Sequence, residues 1–478
     1  MFVDATSFGA DHTEHSEVCI FGSGPAGMTL AYRLASQGTR VLLIEAGGMD
    51  YEDWSQDLYR GKVIGDTYYD LSDARLRMFG GSSNHWGGRC IPLDAHDFEA
   101  HPHFENTGWP ITGKDLEPYL QAACDIVEIP NTFTDSNFTP RIRKTMFQYS
   151  PPVLFGEKYL EFCADSPNIR TCLETALTDL QPEGQVISQA RVTTRGGESW
   201  TIKADTFVMC LGGIENSRML LWMDANNNHA LNGNRDVLGS YWMEHPQAYL
   251  GDVLIDAPGQ DFFSEGEATF ALSRAAQFEA GILNAGLELS EAAYGRTKGM
   301  IADLLCVAPA LGTRMMHGIG KSLVCGARLQ SHWEQAPVRS NRVQLGAELD
   351  AFGIPQTELY WQRSTEDRTT IVETVRIFAE ELANHDLGRA HLAKWVREGA
   401  PIPNDVLIAG WHHMGGTRMS DDPARGVVDK NLKVHGLGNL YIGGSSVFPS
   451  GGYANPTLTI IQMSLRLAEH LGQTGLAL

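Results

Sequence analysis

Two short unbroken apolar runs frame the start of the chain. Residues 18–21 and 41–44 carry neither charge nor proline, the texture of strands buried on both faces of a parallel sheet. Between them, residues 28–36 place apolar side chains at helical spacing, and the pattern stops near Gly38. The same order of strand, glycines and helix recurs over residues 204–220. Buried-strand texture returns at 427–429 and 440–446, after a strand-turn at 411–419. A final helix then runs from Asn455 to about Leu471, with Asn455 at an N-cap position and Pro456 at the first helical position.

Elsewhere the pattern alternates. Residues 168–180, 186–193 and 198–202 predict a small β-meander. Residues 268–272, 281–289, 341–349 and 357–362 read as antiparallel strands. Residues 364–384 predict an amphipathic helix started by Ser364, with Glu366 and Asp367 in its first turn. Helical spacing also marks 115–127. Residues 1–15 read as a flexible tail, 49–74 lack a clear period, 128–165 suit a surface cover, and 293–325 give a partly helical signal.

Composition narrows the picture. A chain of 478 residues can bury a large core, and the pattern suggests two intertwined domains. The net charge of −21 speaks against nucleic acid and gives no basic footprint for an anionic membrane. The eight cysteines are scattered without a C-x-x-C pair, so no metal site is expected and a reducing compartment fits. No apolar run reaches membrane-spanning length and no secretory signal precedes the first strand, so the expected location is cytoplasmic.

The chemistry begins at Gly22, Gly24 and Gly27, a G-x-G-x-x-G between strand and helix, followed by Glu45 at the end of the next strand. Gly22 permits a tight turn, Gly24 lets a pyrophosphate approach the backbone, and Gly27 lets helix and strand pack closely. The helix N-terminus faces the phosphates, and Glu45 can accept ribose hydroxyls. This unit indicates a dinucleotide, NAD or FAD. A second glycine-rich loop holds Gly80, Gly81, Ser82, Asn84, His85 and Trp86, and is expected to wrap the cofactor. Gly212 and Gly444 follow the later strands. Trp411, His412 and His413 precede a glycine pair, and Asn455, Pro456 and Thr457 open the last helix, whose free N–H groups favour negative charge.

Taken together and in order, these motifs resemble the glucose-methanol-choline (GMC) family of flavin-dependent alcohol oxidoreductases, from Val18 to Leu471. The motifs include Gly80–Trp86, Leu211–Asn216, Leu238–Pro246, Glu334–Pro337 with Asn341–Val343, His413–Thr417 and Asn455–Pro456. The branch it is most similar to contains pyranose oxidases, C-glycoside oxidases and sugar dehydrogenases. The resemblance implies an α/β plus α+β fold. Residues 16–100, 165–245 and 405–478 would form a Rossmann-type FAD-binding domain with a parallel sheet. Residues 101–164 and 246–404 would form a substrate domain with a largely antiparallel sheet backed by helices.

The resemblance further implies FAD and a catalytic pair, His413 and Asn455. His413 would take the hydroxyl proton of an alcohol as hydride passes to flavin N5. A neutral imidazole suits that task near pH 7. Asn455 would hold the same oxygen, with helix capping as its alternative use, and His412 is read as structural. In pyranose oxidases a histidine at the place of His85 carries a covalent flavin. Asn84 and the Gly87–Gly88 pair depart from that pattern, so a non-covalent flavin is expected, with a link through His85 as the alternative. Gln335, Trp411 and Tyr453 are candidate substrate contacts. The substrate would be a sugar, glycoside or similar polar alcohol, and the electron acceptor oxygen or another molecule. The assembly is left open, a homo-oligomer included. A lyase with structural FAD and a non-catalytic flavoprotein are the rival readings.

Overall fold

In the computed structural model the apolar run 18–21 ends a longer strand, Thr13–Phe21, whose last four residues are all buried. The structure describes residues 1–229, 231, 235–255, 263, 266–290, 327–405 and 407–473. Thr13–Phe21 sits inside a sheet ordered Phe2–Val3, Ile169–Cys172, Val41–Ile44, Thr13–Phe21, Ser199–Met209, Val186–Thr194, Thr175–Glu183. From Phe2–Val3 to Ser199–Met209 every pairing is parallel. Ser199–Met209 is long enough to change partners along one edge. Its first half pairs antiparallel with Val186–Thr194, and its second half pairs parallel with Leu440–Ile442. The C-terminal part of the chain is thereby built into the sheet that the N-terminal part begins.

The helix Pro25–Ser36 starts at Gly24, which is extended and offers no side-chain cap, and proline occupies its first turn. It packs on the last helix, Pro456–Gln473. Gly27 shows why the spacing of the glycines matters: a Cβ there would lie 1.9 Å from the Gly22 carbonyl oxygen. Gly22 has φ +100°, and a Cβ on it would meet the Cys210 carbonyl oxygen at 2.4 Å.

The second large sheet is antiparallel throughout, ordered Gly388–Leu392, Pro246–Ile255, Ala327–Trp333, Ala285–Ser290, Glu267–Leu272, Ile142–Thr145, Asp135–Asn137. The helix Thr365–Asn384 covers it. A capping box between Ser364 and Asp367 starts that helix, and Ile371, Val375, Phe378 and Leu382 join Leu250, Phe270, Leu287 and Leu329 in one apolar cluster.

Several expectations change. Residues 1–15 are no tail: Phe2–Val3 pairs with Ile169–Cys172, and the amino terminus donates to the Ile169 carbonyl at 2.8 Å. Residues 168–180 are two strands, because Glu174 adopts left-handed backbone at φ 50° between Ile169–Cys172 and Thr175–Glu183. Only the second belongs to the meander. Arg342–Leu349 and Pro355–Trp361 leave the antiparallel sheet and form a separate one with Gly61–Gly65, drawn from the aperiodic 49–74 stretch. Gly281 ends the helix Arg274–Ala280 at φ 63° instead of starting a strand. The signal at 293–325 lies outside the described residues. Among those residues no helix is long and apolar enough to cross a membrane. The six described cysteines are buried and free.

The tight contact at Gly27 gives a test. Gly27→Ala is expected to destabilise the fold by about 3 kcal/mol, read as a lower denaturant midpoint. Gly9→Ala, where nothing lies within 4 Å of the added carbon, should leave that midpoint in place.

Candidate active site

A long cavity opens at the carboxyl ends of the parallel strands. Phe21, Ile44 and Cys210 line it, as expected for a ligand at the crossover edge of such a sheet. Gly22, Gly24 and Glu45 line it, and so do His412, His413 and Asn455. The starts of three helices, Pro25–Ser36, Gly212–Asn226 and Pro456–Gln473, contribute Pro25, Gly212 and Pro456 to its wall. The first two carry no side-chain cap, so their N–H groups remain for a ligand.

Glu45 is buried, and its carboxylate already braces the glycine turn. One oxygen accepts from the Ser23 amide at 3.0 Å and hydroxyl at 2.7 Å, and the other from the Gly47 amide at 2.9 Å. Ser23 in turn accepts from the Gly80 amide at 3.1 Å, which ties the two glycine loops together. Gly81, Ser82, His85 and Trp86 line the cavity, with Gly212, Gly444 and Thr457. Gly27, Gly80 and Asn84 do not. Gly27 serves the helix contact described above, and the Asn84 amide donates to the carbonyls of Phe79 and Gly81, holding the loop's shape.

An ionic network also lines the cavity. Glu215 accepts from Arg75 at 3.0 Å, Arg77 at 3.1 Å and Arg218 at 3.0 Å, and Arg218 also pairs with Asp350. The guanidiniums of Arg75 and Arg77 both lie over the Tyr59 ring, 4.0 and 4.2 Å from its centroid. Burial by itself would raise the Glu215 pKa; Arg218, Arg75 and Arg77 override it and hold the carboxyl down to about 2.

Three contacts fix His413. A Cβ on Gly213 would stand 2.1 Å from the His413 carbonyl oxygen, so the helix Gly212–Asn226 rests directly on this backbone. The Ser445 hydroxyl donates to that carbonyl at 2.6 Å. Met414 exchanges backbone bonds with Met243 at 3.0 and 2.8 Å. Nε2 of His413 lies 2.9 Å from the Tyr68 hydroxyl, and no partner is placed on Nδ1 among the described residues. Burial first, then Arg75 and His85, lowers its pKa to about 3, so the imidazole is neutral at physiological pH.

His412 also lines the cavity, but both its ring nitrogens are engaged. Nε2 accepts from the Asn455 amide at 3.1 Å, and Nδ1 is 2.9 Å from Nδ1 of His245. Burial keeps His412 neutral. Because Nε2 accepts, its proton sits on Nδ1 and is donated to His245. This orients the Asn455 amide nitrogen and leaves its second N–H free.

Trp411 lines the outer end, 40% exposed, with φ 59°. Its ring stacks on His85 with centroids 5.2 Å apart. The other two candidate substrate contacts stand elsewhere. Gln335 is buried behind the site, accepting from the Trp361 indole at 2.9 Å and the Glu244 amide at 3.1 Å. Tyr453 packs with Ile91, Phe147 and Ala271 and is sealed from the cavity. Sequence reading missed Tyr68, Glu244 and the arginines around Glu215. Tyr68 lies in the aperiodic stretch and carried no signal. Glu244 stood in the Leu238–Pro246 motif, next to a histidine.

One cavity beside the parallel sheet is thus lined by the buried Glu45, by the neutral His413 and by the Asn455 amide, an arrangement that accords with a flavin-dependent alcohol oxidoreductase. Residues 337–464 match the model of the GMC oxidoreductase family, and residues 20–49 that of an NAD(P)-binding Rossmann-like domain. The chain is 32% identical to 6'''-hydroxyparomomycin C oxidase of Streptomyces lividus, over 95% of this chain and 92% of that one. It is 22% identical to the fructose dehydrogenase large subunit of Gluconobacter japonicus, over 96% and 98%. Pyridoxine 4-oxidase from Mesorbium loti shares its fold, with a TM-score of 0.59 at 17% identity over 96% of this chain and 99% of that one. The chain belongs to the GMC oxidoreductase family. It is an FAD-dependent enzyme acting on CH–OH groups. The cavity fits that cofactor: Gly24 and Gly81 form a cradle where a Cβ on Gly81 would come within 2.9 Å of the Gly24 Cα, next to an uncapped helix start.

Glu215→Gln leaves three guanidiniums around a neutral amide and is expected to cost about 3–5 kcal/mol. The carboxyl has an ordinary value of 4.5 and is lowered on folding, so its stabilisation is full above pH 4.5 and lost as pH falls toward about 2. Denaturant titrations across that window should show the loss in the native protein and its absence in the variant.

Proposed function

We propose that this enzyme oxidises an alcohol carbon of a sugar, glycoside or similar polyol to a carbonyl, with His413 as the base and Asn455 holding the reacting oxygen. The observation that carries this reading is the asymmetry of the adjacent histidines. His412 has both nitrogens engaged, whereas His413 reaches the cavity neutral with Nδ1 unpartnered. The substrate class rests on the relatives named for sugar and aminoglycoside substrates.

Bound FAD supplies the hydride acceptor. In this reading Gly22, Gly24 and Glu45 hold its adenosine end, and Gly81, Ser82, His85, Trp86, Gly212, Gly444, Pro456 and Thr457 hold the rest. The FAD-binding part then comprises 16–100, 165–245 and 405–478, and the substrate part 101–164 and 246–404. The bound alcohol places its hydroxyl between His413 and the free N–H of Asn455. His413 Nδ1 takes the hydroxyl proton, while Asn455 steadies the developing charge on the oxygen. His412 acts through Asn455, because its accepting Nε2 fixes which end of the amide faces substrate. The stacked Trp411 and His85 form an aromatic wall at the outer end, suited to the apolar face of a sugar ring.

The test is anaerobic flavin bleaching with a panel of monosaccharides, glycosides and aminoglycosides, followed by admission of air to read reoxidation by oxygen. At least one compound is expected to bleach the flavin, and His413→Ala should slow that step by at least about 100-fold. Bleaching by none of them, or an unaffected variant, overturns the reading. Acid precipitation separately reads the flavin linkage: yellow colour is expected in the supernatant, and colour retained in the pellet would mean a covalent bond.

A further inference from the structure

Burial that keeps His413 neutral also makes it a reluctant base, since an imidazolium in that place lacks water to solvate it. The structure supplies a path away from it. Nε2 of His413 lies 2.9 Å from the Tyr68 hydroxyl, and that hydroxyl donates to Glu244 at 2.5 Å. Neither Glu244 nor Tyr68, which is half-buried against Tyr69, Trp242 and Trp361, lines the cavity, so the path leads away from its wall. Glu244 is wholly buried. Its other oxygen accepts from the backbone amides of His245 at 2.8 Å and His412 at 2.7 Å. Its own amide donates to Gln335, which Trp361 and Asp367 hold in place. The carboxyl is therefore fixed by the segments that carry the site's histidines.

We propose that Tyr68 and Glu244 form a proton relay behind His413, with Glu244 as the end point for the proton of the alcohol. The proposal rests on His413 being the base. As the substrate O–H bond breaks, its proton bonds to His413 Nδ1. The Nε2–H bond breaks and that proton passes to the Tyr68 oxygen, whose own proton passes to Glu244. Bound FAD would supply the acceptor for the carbinol hydride and its electron pair, so no further oxidant would be required. His413 ends neutral in its other tautomer, Tyr68 ends unchanged, and Glu244 ends protonated.

Charge and burial agree with this role. Burial pushes the Glu244 carboxyl up to about 7, against the hydrogen bonds from Tyr68 and from the His245, His412 and Gly410 backbone. A group poised there both takes and releases a proton at neutral pH. The other titratable neighbours include Arg75 and Tyr69 beside Tyr68, Arg75, His85 and His412 around His413, and, next to Glu244, His245 and, through Gln335, Asp367, whose carboxyl burial raises to about 6. Arg75 is itself paired with Glu215.

The test measures anaerobic flavin bleaching across pH in the holoenzyme, with the panel sugar that reacts fastest. The native rate is expected to rise as pH passes about 7, where Glu244 ionises. Tyr68→Phe and Glu244→Gln should each remove that limb and lower the rate at pH 8 by about 10- to 100-fold, with little change in KM. The double variant should be no slower than the slower single one, because both cut one path. A limb that persists in both variants, or losses that multiply, overturns the relay. His413→Ala separates the two readings. If it abolishes bleaching while Tyr68→Phe keeps the limb, the relay alone fails. If it bleaches normally, the base assignment fails and the relay with it. Should Glu244→Gln not accumulate with FAD, Tyr68→Phe decides by the same limb. Independently of turnover, infrared difference spectra of the native holoenzyme should show a protonated carboxyl lost as pH rises through about 7 and missing in Glu244→Gln. Its absence from the native protein overturns the proposal.

Discussion

The site depends on a backbone-to-backbone junction that no side chain could enter. Where Thr13–Phe21 ends, Gly22 turns against the Cys210 carbonyl, and Gly27 of the following helix presses on Gly22. On the far side, a Cβ on Gly443 would come within 2.8 Å of the Cys210 sulfur. Three parts of the chain, hundreds of residues apart, meet there at the ends of adjacent parallel strands. The helices that follow them all begin at the same cavity. Their N-termini and the residues just before them can then act on one ligand, which a looser junction would not allow.

From that junction the reacting end is positioned by successive rigid contacts. Gly213 lets the helix Gly212–Asn226 rest on the His413 backbone, and Ser445 holds the same carbonyl. The antiparallel sheet contributes from the other side, through Glu244 and His245 at the entrance to Pro246–Ile255. Burial then sets the protonation states. His413 and His412 stay neutral because an imidazolium would be stripped of water there, while Glu215 stays ionised because three guanidiniums replace its water. The same burial therefore has opposite results, decided by which partners the fold brings within 3 Å or so.

The parallel strands, the first and last helices and the glycine loops were legible because each is encoded locally, by an apolar run, a helical period or a residue type that a turn requires. The long helix at 364–384 was legible for the same reason, through Ser364 and its first-turn acids. The hairpin of Arg342–Leu349 and Pro355–Trp361 was recognised as strands, but alternation does not say which sheet an edge will join. It found Gly61–Gly65, nearly 300 residues away. That Gln335 and Tyr453 stand off the cavity was not legible, because polarity and proximity to a motif carry no information about which way a buried side chain points.

By itself the sequence determined the nucleotide unit and the family resemblance, and it is the resemblance that pointed to the two residues proposed for the chemistry, His413 and Asn455. The motifs behind both rest on short-range spacing, which the chain carries whatever its fold. Only the tertiary structure decided that Asn455 is oriented by His412, that His413 keeps one nitrogen free, and that Tyr68 and Glu244 stand behind it. Hydrogen bonds across 176 and 345 residues of sequence leave no local pattern, because the energy that selects them is the cost of leaving buried polar groups unpaired, and that cost exists only once the core has closed.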